Sequence, residues 1–441
     1  MDEAAQSLPS NDCLFTHESN EPYNPRMTTP PKPRRWFQFR LRTLLVLMLL
    51  ACIGMASIAW KVRQVGKQRA AVMAMERSMG GRVMKWSTPE WQLSVWQRKL
   101  LGYEFFAHPV SVSVFHAAAL EHLDGLPQLE TLYVSDQITD TDLTHLRWLP
   151  QLRELNISDS EITDSGLERL KGLTQLRSLW LSDCPITDAG LERLKELRAL
   201  RSLCLSGTRV TDAGLEHLNG LHITQLSLSC TKVTDKGLES LRGFPQLTYL
   251  ELRDTQVTDT GLESLKGMQQ LTQLRLSRTQ VTDAGLAQLK GLSQLWYVDL
   301  AGCQVSDTGL GHLKEMSQIE ILNLSHTQVT DAGLEHLKGM TQLRELNLSF
   351  TQVTDTGLEQ LTAWSQLQVV ELQGTQVTDA GLSQLTGLSQ LKHLNVRETQ
   401  VSNSGVTKLQ QALPKCLISR PANYSADGSG NRVKAKEPPV P

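Results

Sequence analysis

The stretch Thr327–Ser349, TQVTDAGLEHLKGMTQLRELNLS, is followed after Phe350 by TQVTDTGLEQL, and nearly the same wording recurs along most of the chain. The residue that opens each unit falls at Leu247, Leu271, Leu295, Ile319, Leu343, Leu367 and Leu391, a strict 24-residue spacing. Leu129, Leu152, Leu176, Leu200 and Ile223 extend it upstream with spacings of 23 or 24. Twelve units therefore lie between 129 and 413. A period of this length marks a solenoid, in which each unit buries its apolar side against its neighbours.

The hydrophobic period changes within each unit. Leu343, Leu346 and Leu348 read as a strand with one buried face, Thr351-Gln-Val353 closes a turn, and Leu358, Leu361 and Trp364 recur at helical spacing. Thr354 is placed to cap that helix and Asp355 to meet its positive end. A helix of about two turns is not stable alone. Repetition supplies its core.

The pattern LxxLxLxxTxVTDxGLxxLxxL resembles the leucine-rich repeat, in particular its cysteine-containing, F-box-type subtype. The resemblance implies an α/β fold: a horseshoe solenoid with a parallel inner sheet and short outer helices. It also implies that the ninth position of each unit bonds the backbone of the next coil. That position holds Ser160, Cys184, Thr208, Thr231, Thr255, Thr279, Cys303, Thr327, Thr351, Thr375 and Thr399. Cys184 and Cys303 are accordingly read as structural. The first unit departs from the pattern, being a residue short with Gln137 near the corner.

The N-terminal part has a different composition. Residues 1–42 form a Pro/Arg-rich tail expected to be disordered. From Thr43 to Trp60 no residue is charged, which as a helix gives about 27 Å, close to one bilayer core. Residues 43–60 are thus expected to be a single transmembrane helix and the contact with lipid, flanked by Trp36, Phe37 and Trp60. A cleaved signal peptide, lipoprotein processing at Leu49-Leu50-Ala51-Cys52, and a buried core helix, since 18 residues is short for a span, are the rival readings. Basic residues balance on the two sides of the span; the orientation preferred puts the tail inside and the repeats on the exported side. Residues 61–128 read as a helical connector and N-terminal cap, with a helix from Lys61 to Met79, a second one starting at Thr88-Pro89, and a first strand at Val110–Val114. Residues 414–441 have no periodicity and are expected to be a disordered C-terminal tail. With FRLRTLLVLMLL ahead of uniform repeats, the chain also resembles membrane-tethered repeat proteins of environmental bacteria.

A net charge of −2 carries no electrostatic footprint for nucleic acid. Seven scattered cysteines do not read as a disulfide framework. The chain has no phosphate-binding loop, no CxxC pair and no HExxH. His122, His145, His217, His312 and His336 share one helical slot, and imidazoles without a carboxylate or thiolate partner read as a solvated face and not a metal site. The expectation is no enzyme, no cofactor and no metal.

Function is left to a surface. Third-, fifth- and seventh-position side chains leave the sheet on the same, concave side, and twelve strands at about 4.8 Å make a face roughly 55 Å long. On it, Tyr249, Glu251, Arg275, Tyr297 and Asp299 fall in three neighbouring units, with Tyr133 and Trp180 nearer the N-terminal end. Tyr, Trp and Arg are favoured interface anchors. Lateral pairing of Glu251, Arg275 and Asp299 that merely solubilises the sheet is the competing reading. The sequence thus points to a membrane-anchored scaffold that binds a protein or peptide ligand. The alternative, implied by the subtype, is a substrate-recognition subunit of an F-box-type ubiquitin ligase, which would need a helical module before the repeats.

Overall fold

The structure, a computed structural model, describes residues 41–77, 81–86, 107–419, 424–426 and 432–434. The tail up to residue 40 and the expected helix from Thr88 lie outside these segments.

Helix α1 runs from Leu41 to Arg77 without a break. The sequence reading ended one helix near Trp60 and began another at Lys61. No proline intervenes, and Lys61, Arg63, Gln64, Lys67 and Gln68 are good helix formers, so nothing stops the helix at the end of the apolar run. The chain divides into two compact units between Ala59 and Trp60. In the first unit, Leu44 to Leu50, Ile53, Met55 and Ile58 are all exposed, and among the described residues α1 is the one helix long and apolar enough to cross a membrane.

In the second unit, α1 buries Val65, Ala71 and Met75. Ala71 and Met75 join the core that continues through the repeats. Gly125, the last residue of the 3-10 helix Ala117–Gly125, permits this approach, because a Cβ there would collide with Ala71 and with the Lys67 carbonyl. Strand β1 (Gly81–Trp86) pairs antiparallel with β2 (Pro109–Val114) and closes the end of the sheet.

From β2 onward every pairing is parallel and sequential. The strands are β3 (Thr131–Val134), β4 (Glu154–Asn156), β5 (Ser178–Trp180), β6 (Ser202–Cys204), β7 (Gln225–Ser227) and β8 (Tyr249–Glu251). They continue with β9 (Gln273–Arg275), β10 (Tyr297–Asp299), β11 (Ile321–Asn323), β12 (Glu345–Asn347), β13 (Val369–Glu371), β14 (His393–Asn395) and β15 (Leu417–Ser419). This is a repeat solenoid on a sheet of 15 strands among the described residues. β15 lies in the stretch expected to be irregular: β14 offers an unpaired edge, and Leu417 to Ser419 take it in register with His393 to Asn395. Tyr424–Ala426 and Arg432–Lys434 form a separate antiparallel pair.

One coil shows the core. Leu343, Leu346, Leu348, Val353, Leu358, Leu361 and Trp364 are all buried. The Trp364 indole N–H donates to the carbonyl of Leu337 in the previous coil at 3.2 Å, so the largest fully buried side chain among the described residues is not left with an unsatisfied donor.

The polar ladder differs from the one implied by the repeat resemblance. The ninth-position hydroxyl of Thr351 donates to Leu348 O at 2.6 Å, within its own coil. The thiols reach further: Cys184 Sγ lies 3.3 Å from Ile157 O and Cys303 Sγ 3.1 Å from Leu276 O, each in the preceding coil. The longer Cβ–S bond and larger sulfur span what a hydroxyl cannot. Burial pushes both thiols to a higher pKa, the state of an unreactive cysteine.

Between coils the side-chain connection is made by the aspartate of the TD pair. Asp331 accepts from the N–H and the hydroxyl of Thr354 at 2.8 and 2.6 Å. The same pair of bonds recurs from Asp140 with Thr163 through to Asp379 with Ser402. Thr354 Oγ1 in turn accepts from Thr356 N–H at 3.3 Å, so it caps the helix Asp355–Leu361 while donating to the neighbouring coil.

Candidate functional site

Pairing register fixes which side chains meet on the sheet face. Tyr249 lies opposite Gln273 and Tyr297 beyond it, while Glu251, Arg275 and Asp299 follow one another across β8, β9 and β10. The Arg275 guanidinium sits 5.7 Å from the Tyr249 ring centroid and 4.9 Å from that of Tyr297, held between two aromatic faces. Its Nη1 is 3.7 Å from Glu251 Oε1, and its Nε is buried without a hydrogen-bond partner. Tyr249 donates to Glu251 Oε2 at 2.9 Å, and Ser227 Oγ donates to the same oxygen at 2.7 Å. Asp299 is 9% exposed and accepts from Ala301 N–H at 3.1 Å. The lateral pairing expected of the three charges therefore forms between Arg275 and Glu251, while Asp299 turns to its own backbone.

The electrostatics follow from this crowding. Burial, then the Glu251 charge and its hydrogen bond, push the Tyr249 phenol well above the usual tyrosine range. Burial raises Tyr297 too, against the opposing pull of Arg275. For Arg275, burial works against the charge, but Tyr249, Tyr297, Glu251 and Asp299 together outweigh it and raise its pKa. The cluster thus sets the Arg275 cation beside Glu251 and Asp299, with two phenols that stay protonated at neutral pH.

Tyr133 and Trp180 lie on the same face but not in this cluster. Tyr133 on β3 is separated from Trp180 on β5 by Asn156 on β4. Burial, together with the charge of Glu154 and a hydrogen bond to it, raises the Tyr133 pKa. Toward the central cluster runs a line of close polar contacts: Ser182 Oγ to Cys204 Sγ at 3.1 Å, Cys204 Sγ to Ser206 Oγ at 3.4 Å, and Ser206 Oγ to Ser227 Oγ at 2.7 Å. Seventh-position serines supply part of this line. His312 and His336 are exposed, and the described residues hold no group of three or more metal-ligating side chains.

Six segments, 150–171, 172–195, 221–241, 245–266, 318–338 and 339–361, match the family description Leucine Rich repeat. Comparison with curated proteins gave no match. Among solved structures, an internalin from Listeria monocytogenes is similar at 25% identity and a TM-score of 0.49, over 64% of this chain and 89% of that one. A leucine-rich repeat protein from Leptospira interrogans is similar at 17% identity and a TM-score of 0.46, over 68% and 86%. The matched segments are similar to the leucine-rich repeat, and the same coil geometry recurs through and between them.

Proposed function

We propose that this chain is a membrane-anchored scaffold that holds a protein or peptide on the open sheet face centred on Tyr249, Glu251, Arg275, Tyr297 and Asp299. Leucine-rich repeat scaffolds typically bind proteins, and the observation that carries the placement is the Arg275 guanidinium held between two tyrosine rings. Such a group is rigid before a partner arrives, so little side-chain entropy remains to be lost on binding. The exposed apolar run of α1 supports the anchor, with residues 43–60 in lipid and the repeats on the exported side. The ubiquitin-ligase alternative draws no support from the described residues ahead of 107, which form α1 and β1.

The test is affinity capture from native host membranes with the full chain in detergent, followed by affinity measurement for the captured partner. Tyr249→Ala and Tyr297→Ala are each expected to weaken binding by about 2 kcal/mol. Glu335→Ala and His336→Ala, exposed in the helix Asp331–His336, are expected to leave it unchanged. Equal affinity of both tyrosine variants would move the site off the central face, toward Tyr133 and Trp180 if anywhere.

A further inference from the structure

Beside the tyrosine and arginine cluster, the sheet face dips into an open depression of about 240 Å³ across β10 to β13. Tyr297, Ile321 and Val369 give it aromatic and aliphatic walls, and Glu345 and Glu371 give it two carboxylates. Register places Glu345 between Ile321 on one side and Val369 on the other. Glu371 lies on the next strand, opposite Asn347. Neither glutamate forms an ion pair among the described residues: the neighbouring Arg344 is held by Glu320 at 3.4 Å. Glu251, by contrast, has Tyr249, Ser227 and Arg275 around it. From β10 to β14 the third and fifth positions carry Asp299, Glu345 and Glu371 and no lysine or arginine. Like charges on neighbouring strands disfavour one another, and a cation between them reverses the sign.

Two more features narrow the ligand. Asn323 and Asn347 each accept from a serine N–H with Oδ1, at 3.0 and 2.9 Å, which leaves both Nδ2 groups as donors for a ligand carbonyl. The volume lies below the roughly 300 Å³ at which small-molecule sites begin, so it suits one side chain better than a whole small molecule. We infer that the depression seats a lysine or arginine side chain of an extended peptide segment, its aliphatic stem along Ile321 and Val369 and its charge between Glu345 and Glu371. The inference rests on the reading that this face binds protein. Tyr297 then serves both regions, packing on Arg275 at one edge and on the incoming side chain at the other.

The probe is a set of short, terminally blocked fluorescent peptide mixtures, alike except for a central lysine, arginine, norleucine or glutamate, titrated onto the full chain in detergent. Lysine and arginine mixtures are expected to bind roughly tenfold tighter than norleucine, with glutamate weakest. The double variant Glu345→Gln with Glu371→Gln is expected to abolish the preference while leaving norleucine binding and the thermal melt unchanged, since neither carboxylate is buried. A preference that survives in the double variant overturns the seat. Equal binding of all four mixtures overturns it too while leaving the binding face intact, whereas binding by none of them removes both.

Discussion

Asp331 shows how one carboxylate ties three positions of the repeat together. Its two oxygens take the N–H and hydroxyl of Thr354, and Oδ1 also occupies the place where a Cβ on Gly357 would stand. The threonine and glycine of one coil are therefore answers to the aspartate of the coil before. Gly357 lies within the helix Asp355–Leu361, where alanine would ordinarily gain about 1 kcal/mol. The pinned carboxylate reverses that, and Gly357→Ala is expected to lose about 1 to 3 kcal/mol in urea unfolding. Gly267, with open space around its Cβ position, serves as control and should stay within about 0.5 kcal/mol of the parent when changed to alanine. A Gly357→Ala chain at least as stable as the parent would mean that the carboxylate swings aside freely. The ninth position gives a second test. Thr351→Val keeps the shape but removes the donor to Leu348 O, at a cost of about 1 to 3 kcal/mol. Thr351→Cys should cost less, because a thiol there can reach Leu324 O as Cys303 reaches Leu276 O. The opposite order of stabilities would show that hydrogen bonding does not govern this corner.

At the scale of the element, strand, turn and helix differ in how far they could be read from residues alone. Helix starts were legible because Asp355 and its equivalents stand at a fixed offset, and the strands because Tyr249 to Glu251 and their counterparts alternate around a buried leucine. The turn was not. Its eighth position is left-handed at Asp159, Asp183, Cys230, Asp254, Arg278, His326, Phe350 and Glu398, with φ between 53° and 59°, and glycine takes the place only at Gly207, Gly302 and Gly374. Glycine and aspartate fill six of these eleven positions, as a left-handed corner favours, but Cys230, Arg278, Phe350 and Glu398 blur the column, and each non-glycine there is strained by about 1 kcal/mol or more. Partner choice at the ninth position was hidden too, since an own-coil carbonyl three residues back and a neighbouring-coil carbonyl lie in the same direction on a periodic string. The five central face residues could be grouped because third and fifth positions share parity. The depression at Glu345 and Glu371 could not, because it depends on which strands lack a counter-ion. The cluster makes a pH prediction. Burial first, then Glu251, raises the Tyr249 pKa above that of the unfolded chain. Its contribution is then complete below about pH 10 and is lost as pH rises toward the native value, because the unfolded phenol ionises first. The urea midpoint should fall above pH 10, and fall less in Tyr249→Phe. An identical alkaline decline in the two chains would mean that Glu251 and burial do not restrain the phenol.

For the whole molecule, a stack of coils is stable only if its ends are closed, and the two ends are closed differently. At the C-terminal end, β15 adds three residues to the sheet. At the N-terminal end the cap has two parts, β1 along the sheet edge and the second-unit residues of α1, whose Val65, Ala71 and Met75 are buried. The place to separate the expected anchor from the repeats therefore lies at the start of the second unit, near Lys61, and not near Arg82, after α1 has ended. A chain beginning at residue 61 should be soluble and keep the stability of the stack. One beginning at residue 82 exposes the core that Ala71 and Met75 cover, and losing about two buried apolar side chains should lower its stability by roughly 2 to 5 kcal/mol. The full chain should resist alkaline carbonate extraction from membranes, and its presence in the soluble fraction would remove the anchor. Equal urea midpoints for the two shortened chains would show that α1 contributes nothing to the fold of the repeats, and its continuation past Trp60 would then need another explanation.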